Sequence, residues 1–89
     1  MTLQLLCRFD TTTPEVWEQA LAADAEDQRN AGLTLLQRWW DADAPGSAYV
    51  LFEVNDRPRA EEWITRARAD TMGRPTGVTD STAHFLRTA

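Results

Sequence analysis

The chain has 89 residues, enough for one domain that buries about 60–65% of its unfolded surface, and its 43% hydrophobic content lies above what a disordered chain carries. Nine basic residues, all Arg, stand against fourteen acidic ones for a net charge of −5, so a phosphate backbone is repelled on average and no nucleic-acid partner is expected. Cys7 is the only cysteine, which rules out an intrachain disulfide, and no stretch approaches the roughly 20 apolar residues of a membrane span, so a cytoplasmic domain with no membrane contact is the expectation.

Leu3, Leu5, Cys7 and Phe9 fall on alternate positions, the period of a strand with one buried face. The opening residues have no basic segment, and Leu6 stands where signal cleavage needs a small side chain, so this run reads as a strand and not as a targeting segment. Thr13 and Pro14 then supply a helix start, with Glu15 and Glu18 near the positive end of the dipole and an apolar stripe of Val16, Trp17, Ala20 and Leu21. The stripe thins after Ala23, and Gly32 is a C-terminal stop.

Leu33 to Trp40 reads as a strand that is apolar on both faces, with Leu33, Leu35 and Trp39 on one parity and Leu36 and Trp40 on the other. Residues 41–46 are turn chemistry, and Ala48, Val50, Phe52 and Val54 alternate with Tyr49, Leu51 and Glu53, which completes a β-hairpin. Asp56 and Pro58 open a second helix with Ala60, Trp63, Ile64 and Ala67 at helical spacing, and Glu62–Arg66 and Arg66–Asp70 are oppositely charged i,i+4 pairs on its wet side. Residues 73–77 break that helix. A last strand over Thr79 to Arg87 alternates Ala83 and Phe85 with Thr82, His84 and Leu86.

The order β-α-β-β-α-β over residues 1–89 predicts a single α+β, ferredoxin-like domain: a four-stranded antiparallel sheet with two helices on one face. Leu5, Cys7, Val50, Phe52 and Phe85 point toward the helices. The other face would expose Leu6, Leu51, Leu86, Tyr49 and one of Trp39 and Trp40, more contiguous apolar sheet than monomers leave in water. A homodimer joined through that sheet face is therefore expected.

This pattern resembles the dimeric α/β-barrel superfamily, in which ferredoxin-like subunits pack sheet against sheet, and within it the uncharacterised short bacterial chains. The residues that carry the likeness are the alternating first strand, Gly32-Leu33 leading into Trp39-Trp40, a hairpin strand followed by Glu53 and Asp56, and Trp63 on the second helix. The group includes antibiotic-biosynthesis-type monooxygenases and muconolactone-isomerase-like enzymes. The likeness is architectural, and it equates no position here with a catalytic residue of those enzymes.

His84, the single histidine, has the parity of the second face, where it would serve as a general base or ligand contact or else as a hydrogen-bonded interface residue. Glu53, Tyr49, Arg8 and Arg38 are expected beside it, either around an aromatic or oxygenated small molecule with Trp40 or as structural ion pairs of Glu53 with an Arg. One His without a cysteine pair argues against a metal, and no cofactor is implied. The functional readings are a barrel that binds a small hydrophobic or aromatic metabolite, a cofactor-independent monooxygenase or isomerase, and a non-catalytic protein-interaction or structural domain.

Overall fold

The computed structural model describes residues 2–73 and 78–88. Four strands, β1 (Leu3–Thr11), β2 (Leu33–Trp40), β3 (Ser47–Val54) and β4 (Val78–Arg87), form one antiparallel sheet in the order β2-β3-β1-β4. The expected ferredoxin-like sheet is thus formed, with the two longest-separated strand pairs placing β1 at its centre between β3 and β4.

Helix α1 (Pro14–Ala23) begins with Pro14 at a position where its missing N–H costs nothing, and the Thr13 carbonyl accepts from Trp17 N–H at 3.1 Å. The thinning stripe corresponds to a break: the chain leaves the helix at Asp24 and restarts as α2 (Ala25–Asn30). Buried Gln28 spans that break, its Nε2 donating to the Leu21 carbonyl at 3.3 Å. Gly32 closes α2 with φ +73°, a left-handed backbone that glycine adopts without a Cβ penalty. Helix α3 (Arg57–Gly73) starts at Asp56, whose Oδ1 accepts from Arg59 N–H at 3.2 Å. Its described ion pairs are Arg57–Glu61 at 3.0 Å and Arg59–Asp56 at 3.5 Å; the expected Glu62–Arg66 pair is not formed, and the side chain of Asp70 and residues 74–77 lie outside the described residues.

Register partners in an antiparallel ladder share a face, so pairing assigns the sides directly. Leu5, Phe52 and Phe85 form one row, and Cys7, Val50 and Ala83 the next, both under the helices. These join Trp17, Ala31, Leu33, Ala48, Val54, Ala60 and Trp63 in the core. The opposite, open face carries the rows His84–Leu6–Leu51–Gln37, Leu86–Gln4–Glu53–Thr34 and Thr82–Arg8–Tyr49–Trp39.

Strand β2 departs from simple alternation. Leu35 pairs with Phe52 but Gln37 pairs with Leu51, so one extra residue, Leu36, is inserted opposite β3. Such a bulge reverses the parity of everything beyond it. Leu33 and Leu35 therefore share the helix face with Arg38 and Trp40, while Trp39 joins Tyr49 on the open face. The expectation that Leu33, Leu35 and Trp39 share a side fails for this reason.

The hairpin after β2 closes against β1 through Gly46, whose φ is +90° and whose carbonyl accepts from Thr11 N–H at 2.7 Å. A Cβ at Gly46 would lie 2.5 Å from the Thr11 carbonyl oxygen, a backbone atom that cannot yield. Gly46→Ala is accordingly expected to lower stability by about 1–3 kcal/mol in urea unfolding, from backbone strain alone. An unchanged denaturation midpoint would contradict the close approach.

Candidate functional site

The sequence-predicted site residues divide between the two sides of the sheet. Arg8, Tyr49, Glu53 and His84 take the open face, and the bulge sends Arg38 and Trp40 to the helix side. On the open face Arg8 and Tyr49 are direct register partners. The Arg8 guanidinium meets Asp10 at 3.2 Å within the chain. The Tyr49 hydroxyl donates to Asp41 Oδ2 at 3.4 Å. Backbone N–H of Asp43 chiefly, with those of Ala44 and the Tyr49 hydroxyl, holds the Asp41 carboxyl below its ordinary value.

His84 stands beside Leu6, two strands and one row away from Glu53, a Cα separation of about 12 Å from sheet spacings. The expected His–Glu cluster is thus spread across the sheet. Among the described residues, no group of three His, Cys, Asp or Glu side chains converges.

Among the described residues a concave feature lies at the sheet's β2 edge, toward the helix side. It is an open groove of about 410 Å³ lined by Trp17 and Glu18 of α1 and by residues 35–40 of β2. A volume of this size falls within the roughly 300–1,000 Å³ that small-molecule sites occupy. By contrast the cavity between the sheet and α3, bounded by Cys7, Phe9, Trp63, Ile64 and Ala83, measures about 20 Å³ and has room for little more than a water.

The groove follows from local sequence. Pro14 starts α1 so that Trp17 and Glu18 fall at the end of its first turn, over the sheet edge. Trp17 is buried and its ring links the core to the edge: Phe9 packs at 5.5 Å between centroids and Trp40 at 5.4 Å in an edge-on arrangement. Such aromatic pairs contribute about 0.5–1.5 kcal/mol each beyond area burial. Trp40 remains 43% exposed, and its Nε1 donates to Glu18 Oε1 at 3.2 Å, which fixes the indole as a wall of the groove. Leu35 and Leu36 are as exposed as Trp40 and supply further apolar surface. Among the described residues, no carboxylate lies within ion-pair distance of Arg38.

Sequence reasoning named two of these lining residues, Trp40 and Arg38, but placed Arg38 on the other face and left open which of Trp39 and Trp40 stands there. It read Trp17 as core and Glu18 as a dipole partner, and both readings are half of what these side chains do. The helical stripe that buries Trp17 carries no signal that its outer edge is concave.

A second aromatic contact organises the far side of the core. Phe52 and Trp63 pack edge-on at 5.6 Å, and Trp63 Nε1 donates to Asp24 Oδ2 at 2.8 Å, at the break between α1 and α2. Burial pushes the Asp24 carboxyl above its ordinary value, against the opposing effect of the Trp63 hydrogen bond, and the neighbouring Asp27 charge adds to the rise.

Among known proteins, no family model matches the chain and no curated protein matches it. Solved structures do. The chain is similar to a cofactor-independent oxygenase from Streptomyces nogalater at 13% identity and a TM-score of 0.71, over 98% of this chain and 92% of that one. It is similar to an antibiotic biosynthesis monooxygenase at 19% identity and a TM-score of 0.57, over 98% of both chains. It also matches a dimeric ferredoxin-like protein from an uncultured marine organism at 12% identity and a TM-score of 0.56, over 99% and 90%. At these identities the similarity shows the ferredoxin-like fold.

The Asp24–Trp63 contact makes a signed prediction. A carboxyl whose folded value is raised favours the native state while protonated, and that contribution is lost as pH rises through the raised value. Asp24→Asn keeps an oxygen acceptor for the indole N–H and removes the charge, so its stability relative to wild type should improve from acid to neutral pH. Asp24→Ala lacks the same carboxyl and should follow the same pH trend, but it should lie about 1–3 kcal/mol below Asp24→Asn throughout, because the indole donor of buried Trp63 is left unpaired. Urea titrations across pH distinguish the two, and a pH-independent difference for the Asn variant would contradict the burial effect.

Proposed function

We propose that the chain is a homodimeric barrel domain that binds a small hydrophobic or aromatic molecule in the groove between α1 and β2. The observation that carries the reading is the concave wall of Trp17, Trp40, Leu35 and Leu36 with one cation and one carboxylate set into it. Apolar walls with a few placed polar groups are what small-ligand sites present. The cofactor-independent oxygenase among the structural neighbours makes cofactor-independent oxygenation of a bound molecule the second reading of the same groove, with Arg38 and Glu18 as its ionisable groups.

The dimer half of the proposal rests on the open face. Leu6 and Leu51 are adjacent register partners at its centre, and Tyr49, 46%-exposed Trp39 and 42%-exposed Leu86 extend the apolar surface toward its edges. A twofold sheet-to-sheet contact would bury it, and one structural neighbour is a dimeric ferredoxin-like protein. His84 and Glu53 would then lie in the interface as hydrogen-bonding groups, the role that their separation on the sheet favours over joint catalysis.

Two measurements test these statements. In nitrogen-labelled protein, 2-naphthol should saturably shift the indole N–H resonances of Trp17 and Trp40 and leave that of Trp63 in place, and Trp40→Ala should weaken the binding about tenfold or more, the loss of one well-placed aromatic wall. Absence of any saturable shift would remove the groove reading. In sedimentation at micromolar concentration the wild type should run as a dimer and Leu51→Glu as a folded monomer, since a carboxylate buried without a partner is strongly disfavoured. A monomeric wild type would remove the dimer.

A further inference from the structure

We infer that the groove selects an aromatic acid: a planar ring against the indoles, its anionic group on Arg38, and a ring hydroxyl donating to Glu18. The inference rests on the groove reading above and names the ligand's chemistry. It follows from how the two charged groups of the groove are, and are not, engaged.

The chain carries a net charge of −5, and among the described residues three guanidinium groups are taken by a nearby carboxylate: Arg8 by Asp10, Arg57 by Glu61 and Arg59 by Asp56. Arg38, like Arg29, Arg66 and Arg87, makes no ion pair among the described residues, and of these four it is the one that lines the groove. Its lateral neighbour is buried Val50, its strand neighbours are Gln37 and Trp39, and β2 is the sheet's edge, so no further strand brings it a partner. Glu18 lines the same groove, yet it accepts from Trp40 Nε1 and makes no ion pair with Arg38.

A planar guanidinium set among apolar walls matches a carboxylate bidentately and stacks on aromatic rings, which a point charge does not do. Glu18, held in place by the indole N–H, keeps an oxygen available as an acceptor for a ligand hydroxyl. It also disfavours an anion at its own end of the groove, so it sets the direction in which a hydroxylated acid lies. Because the overall charge repels anions, a preference for an acid over its neutral counterpart has to come from the site itself.

The test uses the full chain at neutral pH and two probes of one ring system, 6-hydroxy-2-naphthoate and 2-naphthol, titrated by calorimetry and by the indole resonances. The acid is expected to bind about tenfold or more tightly, with an advantage that shrinks as salt is added. Arg38→Gln should abolish that advantage, with an unchanged urea midpoint and far-ultraviolet circular dichroism showing that the variant is folded. Glu18→Gln should strengthen binding of 2-naphthoate, which lacks the hydroxyl. Equal affinities for acid and alcohol in wild type, or an advantage that survives Arg38→Gln, would overturn the inference and leave the groove as a neutral aromatic site. Failure of both probes to bind wild type would overturn the groove reading and this inference with it.

Discussion

Strand β2 carries one residue more than the stretch of β3 that it pairs with, and the two working surfaces of the molecule depend on that insertion. Without Leu36 as the extra residue, Trp40 would point to the open face and Trp39 to the helices. With it, Trp40 comes within 5.4 Å of Trp17 and can give its indole N–H to Glu18, while Trp39 stands beside Tyr49. Bulges cost ladder hydrogen bonds, and they are tolerated best on edge strands, where β2 lies. The insertion also bends the strand, which is consistent with a groove rather than a flat flank along residues 35–40.

Four indoles carry much of the organisation in this small domain, and each handles its polar atom differently. Trp63 is buried, and its N–H must be satisfied from within, which Asp24 does at the expense of holding a carboxylate partly out of water. Trp17 is buried and transmits packing from Phe9 at the centre to Trp40 at the rim. Trp40 and Trp39 keep nearly half their surface, one over each face of the same strand. A domain of this length has little core to spare. Leaving two indoles uncovered is therefore informative, because that apolar area stabilises nothing in the isolated chain.

Much of the fold was legible because the strands other than β2 alternate simply through the core, the β1–β4 pairing shifting register only at its end, between Asp10 and Thr11. Leu5 and Cys7, Val50 and Phe52, and Ala83 and Phe85 all face the helices as their parity requires. The helix starts at Pro14 and Asp56 and the stop at Gly32 also lie where their chemistry places them. The site was less legible. A bulge leaves no compositional mark in a strand that is apolar on both parities, so Arg38 and Trp40 were grouped with Tyr49 and His84. The break at Asp24 is equally hidden, since Ala23 and Ala25 are both good helix formers, and it exists to bring a carboxylate to Trp63.

The open face and the groove share one strand, and this constrains how each can be used. An edge strand bonded on one side only is held by β3 and by whatever packs on its two faces. Trp17 and Glu18 hold the helix side at Trp40; on the open side Trp39 has Tyr49 as its lateral neighbour and nothing beyond it within the chain. Sheet-to-sheet contact with a second copy would cover Trp39 and reduce the freedom of the backbone that also positions Arg38 and Trp40. A ligand wall made of exposed leucines and indoles loses affinity to its own ordering cost, and rigidity imposed from the opposite face lowers that cost before the ligand arrives. In this architecture the proposed dimer contact and the proposed ligand groove would be two sides of a single strand, and the extra residue at Leu36 gives each side its own tryptophan.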